Sequence, residues 1–188
     1  MVDSETRWRL VKKQKAQPID SPAKAIIRPA TANDLPQIKD IYNFYIQNTV
    51  ITFDDQPLEL SHWQEKFQHL NKLDLPFLVM VRGSEMLGFA FVSPWRQKTS
   101  YLKIVENQIY LAAAATGKRF GSRLFEELLE TCRSAGIKEV IAVIADRGAQ
   151  ASIALHKKFG FADQGHLANV AVRFGKPVGS YLLALKLS

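Results

Sequence analysis

The stretch from Val105 to Cys132 changes its hydrophobic period at a glycine, and that constrains the fold more than any other part of the chain. Val105-Glu-Asn-Gln-Ile-Tyr-Leu111 reads as a strand, and residues 112–120 as a loop carrying Gly117. Beyond it, Phe120, Leu124, Phe125, Leu128, Leu129 and Cys132 recur at spacings of three and four, which predicts a helix with one buried face. A glycine turn feeding a helix start presents free backbone N–H groups and the positive end of a helix dipole, a ready cradle for phosphate. Lys118, Arg119 and Arg123 add charge at the same mouth. A phosphate-bearing cofactor is the expectation.

Two common phosphate motifs are excluded. The loop lacks Gly-x-Gly-x-x-Gly, and the Gly117-Lys118 pair has neither the upstream glycine nor the following Ser or Thr of a P-loop. Thr116-Gly-Lys-Arg-Phe-Gly121 instead resembles the pyrophosphate loop of the GNAT family of N-acetyltransferases, of pattern Gln/Arg-x-x-Gly-x-Gly/Ala. Thr116 stands where that pattern has Gln or Arg, and Arg119 where it has its first glycine. Further segments resemble the phosphinothricin and methionine sulfone acetyltransferase branch. They include Ile27-Arg-Pro-Ala-Thr-Ala-Asn-Asp-Leu-Pro-Gln-Ile38, Thr52-Phe-Asp54, Pro94-Trp-Arg96, Val105-Glu106, Ala151-Ser-Ile-Ala-Leu-His156 and Phe159-Gly-Phe161. They fall in order from about residue 25 to the C-terminus.

The resemblance implies an α/β (mixed α+β) GNAT fold, a central mixed, mostly antiparallel sheet of about six to seven strands flanked by helices. It implies acetyl-CoA as acetyl donor and the amine of a small amino-acid-like molecule as acceptor, of the phosphinothricin, methionine sulfone or methionine sulfoximine type. A homodimer is implied as well.

Composition bounds the alternatives. At 188 residues, 47% hydrophobic and 23% charged, the chain has the make-up of one globular domain. Such a domain buries roughly 70% of its unfolded surface and requires no disulfide or metal staple. Its single cysteine, Cys132, lies on the apolar stripe and is expected as a small buried hydrophobe. No apolar run reaches the roughly 18 residues that span a bilayer, and no signal-peptide core is present, so no membrane partner and a cytoplasmic location are expected. The net charge of +7 suits a polyanionic cofactor. Lys and Arg are dispersed rather than set in a stripe with exposed aromatics, so no nucleic-acid partner is expected, and a basic nucleic-acid module is the weakest of the readings. Residues 1–24, with Arg7, Arg9, Lys12, Lys13, Lys15 and Lys24, read as a mobile basic extension, and residues 25–188 as a single domain.

A short first strand is expected over residues 25–28. A helix capped by Thr31 or Asn33 follows, with Ile38, Ile41, Tyr42 and Tyr45 on its apolar face. A second helix is expected over 60–70, strands over 77–81 and 86–93 around Gly83-Ser84, and the strand ending at Leu111. The loop helix closes at Gly136, a very apolar strand covers 140–145, and a helix covers 149–159. Strands over 161–167 and 181–187 complete the chain.

Acetyl transfer from a thioester requires a deprotonated amine. An α-amino group has a reference pKa of about 7.7–8.0, so a positioned carboxylate that takes its proton accelerates the reaction by roughly 10²–10⁴. By the resemblance, Glu106 is that base. His156 falls where the branch has a histidine near the cofactor thiol, fitted to orient substrate, relay a proton or protonate the leaving thiolate. The alternative for each is plain: a paired surface carboxylate and a satisfied helical histidine. The other histidines, His62, His69 and His166, show no metal-ligand spacing, so no metal is expected.

For the cofactor, the resemblance implies backbone groups of Gln108, Ile109 and Tyr110 along the pantetheine arm. It places Thr116, Gly117, Lys118, Arg119, Phe120 and Gly121 at the pyrophosphate, with Ser122 beside it. For the acceptor it implies Arg96 and Lys98 as carboxylate grips, the alternative being a solvated basic loop, with Val105, Glu106 and Asn107 along the pocket; Phe53 either lines that pocket or staples the first helix from beneath. Departures from the branch point to an alternative, a GNAT-fold CoA-binding protein with little or no turnover. Ala112 to Ala115 replace a His-Pro or Asp-Pro turn, and Gly148-Ala-Gln150 lacks the branch's Asn. If residue 119 requires φ > 0, Arg there costs about 1 kcal/mol or more.

Overall fold

A computed structural model describes residues 24–187. The basic extension expected over residues 1–24 lies outside the described residues, except for Lys24. Strand β1 (Ile26–Pro29) leads through Arg28, which grips Asp34 with two hydrogen bonds of 2.7 and 2.8 Å. The Thr31 backbone N–H also donates to Asp34 at 2.8 Å, so this one carboxylate organises the entry to helix α1 (Leu35–Asn48). Pro36 sits in the first turn, where its missing N–H costs nothing. Helix α2 (Leu60–Lys72) and the hairpin β2 (Phe77–Arg82) and β3 (Glu85–Pro94) follow. Then come β4 (Ile104–Leu111), α3 (Phe120–Ser134), β5 (Glu139–Ala145) and α4 (Gln150–Lys158). A long hairpin, β6 (Ala162–Arg173) and β7 (Lys176–Lys186), ends the chain.

The seven strands form one sheet in the order β1-β2-β3-β4-β5-β7-β6, and every neighbouring pair is antiparallel except β4 and β5. That is the mixed, mostly antiparallel sheet expected from sequence. The final strands are longer than expected: β6 runs to Arg173 and β7 begins at Lys176.

Each face of the sheet has its own core. Leu35, Ile38, Tyr42 and Ile46 of α1 and Trp63 and Leu70 of α2 pack on Phe77, Val79, Phe89 and Phe91. On the other face Leu124, Phe125, Leu128, Leu129 and Cys132 of α3 pack on Leu78, Met80, Ala90, Val92 and Val105. Cys132 is fully buried, and that burial pushes its thiol pKa up to about 12.

The feature that positions the site lies mid-sheet. β4 and β5 pair only over Ile104↔Glu139, Val105↔Val140 and Glu106↔Ile141, and then part. From Asn107 onward β4 keeps its β3 partners, through Gly88↔Leu111, while the side toward β5 stands open. Gly88 permits this close approach, because a Cβ there would lie 2.6 Å from the Tyr110 carbonyl oxygen.

Candidate functional site

The parting of β4 and β5 opens a cleft that continues to the loop before α3. Its inner end is lined by Asn107, Ile109, Ala142, Ile144, Ser152 and His156. Its outer part, about 670 Å³, reaches Thr116, Gly117, Lys118, Arg119, Gly121 and Ser122. Ile109, Tyr110, Ala149 and Ser152 border both parts, so the two form one channel.

Among the described residues, the loop leaves a run of backbone N–H groups free, an arrangement that can cradle an anion. Gly117 has φ 75° and Arg119 φ 64°, and helix α3 begins only at Phe120. Among the described residues, the backbone N–H groups of Gly117, Lys118 and Arg119 find no hydrogen-bond acceptor. The strain foreseen at position 119 is therefore present: an arginine occupies a left-handed backbone. The alanine run that replaces the branch's His-Pro or Asp-Pro turn still makes a turn, because Ala113–Ala115 form a 3₁₀ helix with Ala115 buried. Thr116 Oγ1 donates to the Ala113 carbonyl at 2.9 Å and Tyr45 Oη to the Leu111 carbonyl at 2.7 Å, which pins the turn to α1. Lys158 Nζ lies 3.4 Å from Ser122 Oγ and joins Lys118 and Arg119 at the mouth, whereas Arg123, expected there, donates to the Ala25 carbonyl oxygen at 3.3 Å.

An open channel, unpaired amides and converging cations fit a ligand with a diphosphate at one end and an amide-bearing arm at the other. The arm has the free edge of β4 at Gln108, Ile109 and Tyr110 to pair with.

Alternation along β4 sends its side chains to opposite faces. Glu106 and Tyr110 face α1 and α2, whereas Val105 and Asn107 face α3 and α4. Glu106 is half-buried, and desolvation raises its pKa above the ordinary carboxylate value against the pull of Lys66 and Arg96. Tyr110 lies edge-on to Tyr42, with ring centroids 5.0 Å apart, and the Tyr42 hydroxyl donates to Asp54. Burial first, then neighbouring negative charge, pushes the Tyr42 hydroxyl pKa far up, so it stays protonated.

On the other face Asn107 and His156 meet. His156 Nδ1 lies 2.8 Å from the Ser152 carbonyl oxygen, which can only accept, so Nδ1 carries the proton. Nε2 then accepts from Asn107 Nδ2 at 2.8 Å. Desolvation lowers the His156 pKa to about 4, which makes the ring neutral at physiological pH. Both nitrogens are engaged and the residue is 2% exposed.

The other expected residues divide. Phe53 is exposed beside Asp54, and Arg96 is exposed with its guanidinium 4.1 Å from the centroid of Trp95. Lys98 is exposed at the start of the short Thr99–Tyr101 turn. Val105, expected along the acceptor pocket, is 1% exposed in the core against α3, so its side chain has no surface to offer an acceptor.

Three residues at the site were not anticipated: Tyr42 and Asp54 as a hydrogen-bonded pair, and Lys66. The signal for Lys66 was present, because it interrupts the apolar stripe Trp63, Phe67, Leu70 of α2.

A model of the acetyltransferase (GNAT) family matches residues 38–161. The L-methionine sulfoximine/L-methionine sulfone acetyltransferase of Pseudomonas aeruginosa is 33% identical over 153 residues, 81% of this chain and 88% of that protein. The phosphinothricin N-acetyltransferase of Streptomyces coelicolor is 32% identical over 157 residues, covering 82% and 91%. The structure superposes with a TM-score of 0.83 on the GNAT superfamily phosphinothricin acetyltransferase from Sinorhizobium meliloti in complex with acetyl-CoA. The two are 32% identical over 87% of this chain and 89% of that one.

Proposed function

The chain belongs to the acetyltransferase (GNAT) family, and from that premise we propose how it works as an acetyl-CoA-dependent N-acetyltransferase acting on the amine of a small amino-acid-like acceptor. Acceptors of the phosphinothricin, methionine sulfone or methionine sulfoximine type are the first to test. The observation that carries the reading is the fork itself: β4 loses its β5 partner directly after Glu106, and the opening leads to a loop of unpaired amides.

Bound acetyl-CoA supplies the acetyl thioester, and its transfer to the amine leaves a free thiol. The amides of Gly117, Lys118 and Arg119, with Phe120, Gly121 and Ser122 at the helix start, hold the diphosphate, and the backbone of Gln108, Ile109 and Tyr110 aligns the arm. Thr116 shapes the loop through its bond to Ala113. Glu106 takes the proton from the acceptor ammonium. Its raised pKa brings it nearer to that of an amine, and Lys66 and Arg96 favour its ionised form. We assign His156 a positioning role. As a neutral Nδ1–H tautomer with both nitrogens engaged, it orients Asn107 at the fork rather than delivering a proton. Arg96, Phe53 and Lys98 stand on the acceptor side.

We also propose a homodimer. The edge strand β6 and its turn expose Leu167, Val170, Val172 and Phe174 at 48%, 54%, 67% and 46%, a row of apolar side chains that a second copy would cover. Dilution-dependent light scattering of the wild type and V172E tests it. A cytoplasmic location, where acetyl-CoA is available, is proposed with it and is tested by cell fractionation.

The decisive experiment is steady-state acetylation of an amino-acid panel with acetyl-CoA. Turnover on at least one acceptor, together with a rise in melting temperature on adding CoA, is the expected result. No turnover on any amine together with no thermal response to CoA overturns the reading.

A further inference from the structure

Lys66 lies on the sheet-facing stripe of α2, three residues after the buried Trp63 and four before the buried Leu70. Its ammonium stands 5.7 Å from the Trp63 ring centroid and 5.3 Å from that of Phe91. Phe91 pairs with Gln108 across the β3–β4 ladder, and Glu106 is the next β4 residue on the same face. The helix therefore delivers a half-buried cation to the flank of Glu106. Yet among the described residues Lys66 forms no direct ion pair with Glu106 or Asp54, although both carboxylates act on it electrostatically. Arg96 likewise acts on Glu106 without touching it.

Two cations thus flank one carboxylate across a gap. An α-amino acid carries its ammonium and carboxylate on one carbon. When the ammonium rests on Glu106, the acid group falls beside it, within reach of a cation that is near Glu106 but not bonded to it. Partial desolvation makes that cation a stronger anion partner than a lysine in open water. Being held on a packed helix, it is also better placed than Arg96 and Lys98, which sit on an exposed loop.

We propose that Lys66 is a specificity-determining residue whose ammonium grips the carboxylate of an α-amino-acid acceptor held against Glu106; this rests on the acetyltransferase reading above. It adds to the loop cations expected from sequence a helix lysine with a defined task, discrimination between amino acids and plain amines.

The test compares the full-length wild type, K66Q and K66R at saturating acetyl-CoA. The acceptors are methionine sulfone and phosphinothricin, each assayed beside its carboxamide, in which the α-carboxylate is neutral. K66Q is expected to raise KM for the acids by ~10–100-fold while that for the amides changes little, which erases the preference for acid over amide; any fall in kcat through Glu106 is shared by both acceptors. K66R should recover part of that preference, and an unchanged thermal response to CoA shows that the fold is intact. If K66Q keeps the acid-over-amide preference, Lys66 is not the anchor. Absence of turnover by the wild type on every amine sinks the acetyltransferase reading and this inference together. An active wild type with unaltered selectivity in K66Q sinks the inference alone.

Discussion

The two faces of β4 meet burial in opposite electrical circumstances. Toward α1 and α2, Glu106 is half-buried with two cations nearby, so it is costly to ionise yet supplied with charge that favours ionisation. Toward α3 and α4, His156 is buried without a nearby charge and stays neutral, saturated by Ser152 and Asn107. The same desolvation leaves a carboxylate held between opposing influences on one side and a neutral, saturated ring on the other. What separates them is whether opposite charge is within range and whether the hydrogen-bonding capacity is already used.

That contrast breaks most visibly at Glu106. E106Q is expected to lower kcat/KM by ~10²–10⁴ while leaving CoA binding unchanged, as read by steady-state kinetics and thermal shift. Turnover that survives the substitution would move the chemistry off this face.

A second expectation concerns stability. The folded pKa of His156 lies below its unfolded value of 6.5, so the unfolded chain takes up that proton first. The resulting stability is present in full above pH 6.5 and is lost as pH falls toward about 4. The loss is on the order of 3 kcal/mol, measurable by urea denaturation across that range. H156Q should be less stable at neutral pH, for want of the ring contacts to Phe125 and Phe161, and should flatten the acid slope. An unaltered slope would show that the ring titrates elsewhere.

At the loop, R119G relieves a left-handed arginine and is expected to change stability without CoA by up to about 1 kcal/mol in the favourable direction. The gain is offset in part by the freer unfolded chain. Isothermal titration with CoA then reveals whether the lost guanidinium weakens binding. Smallest of all, K157A removes the exposed pair with Asp163, 3.0 Å apart, and should cost under about 0.5 kcal/mol, a baseline for effects remote from both faces.

Much of this was legible in the chain. The three- and four-residue spacing of Phe120 to Cys132 set out α3 and its buried stripe, because a packed helix enforces that period on its sequence. Glu106 was legible only through resemblance, since one carboxylate on a strand carries no mark of the sheet parting beside it. The far part of β6 was not legible. Asn169 takes φ 55° and the register shifts between Leu167 and Ala171, so an edge strand open to water shows no clean alternation. Lys66 broke a stripe that could be seen, but its meaning depended on knowing which face of β4 that stripe covers. The Asn107–His156 bond joins residues 49 positions apart, which only the packing of α4 against the fork brings together.

With three residue pairs holding its middle, the sheet resembles two panels joined by a short seam. A donor molecule lying in the open part would bond where an eighth strand belongs, and would act as mortar between the panels. Ligand at a hundredfold excess over its dissociation constant adds about 2.7 kcal/mol to a folded state that alone binds it. The lifetime of this protein would then track the supply of its own donor, and starved of it the seam is where the molecule would first come apart.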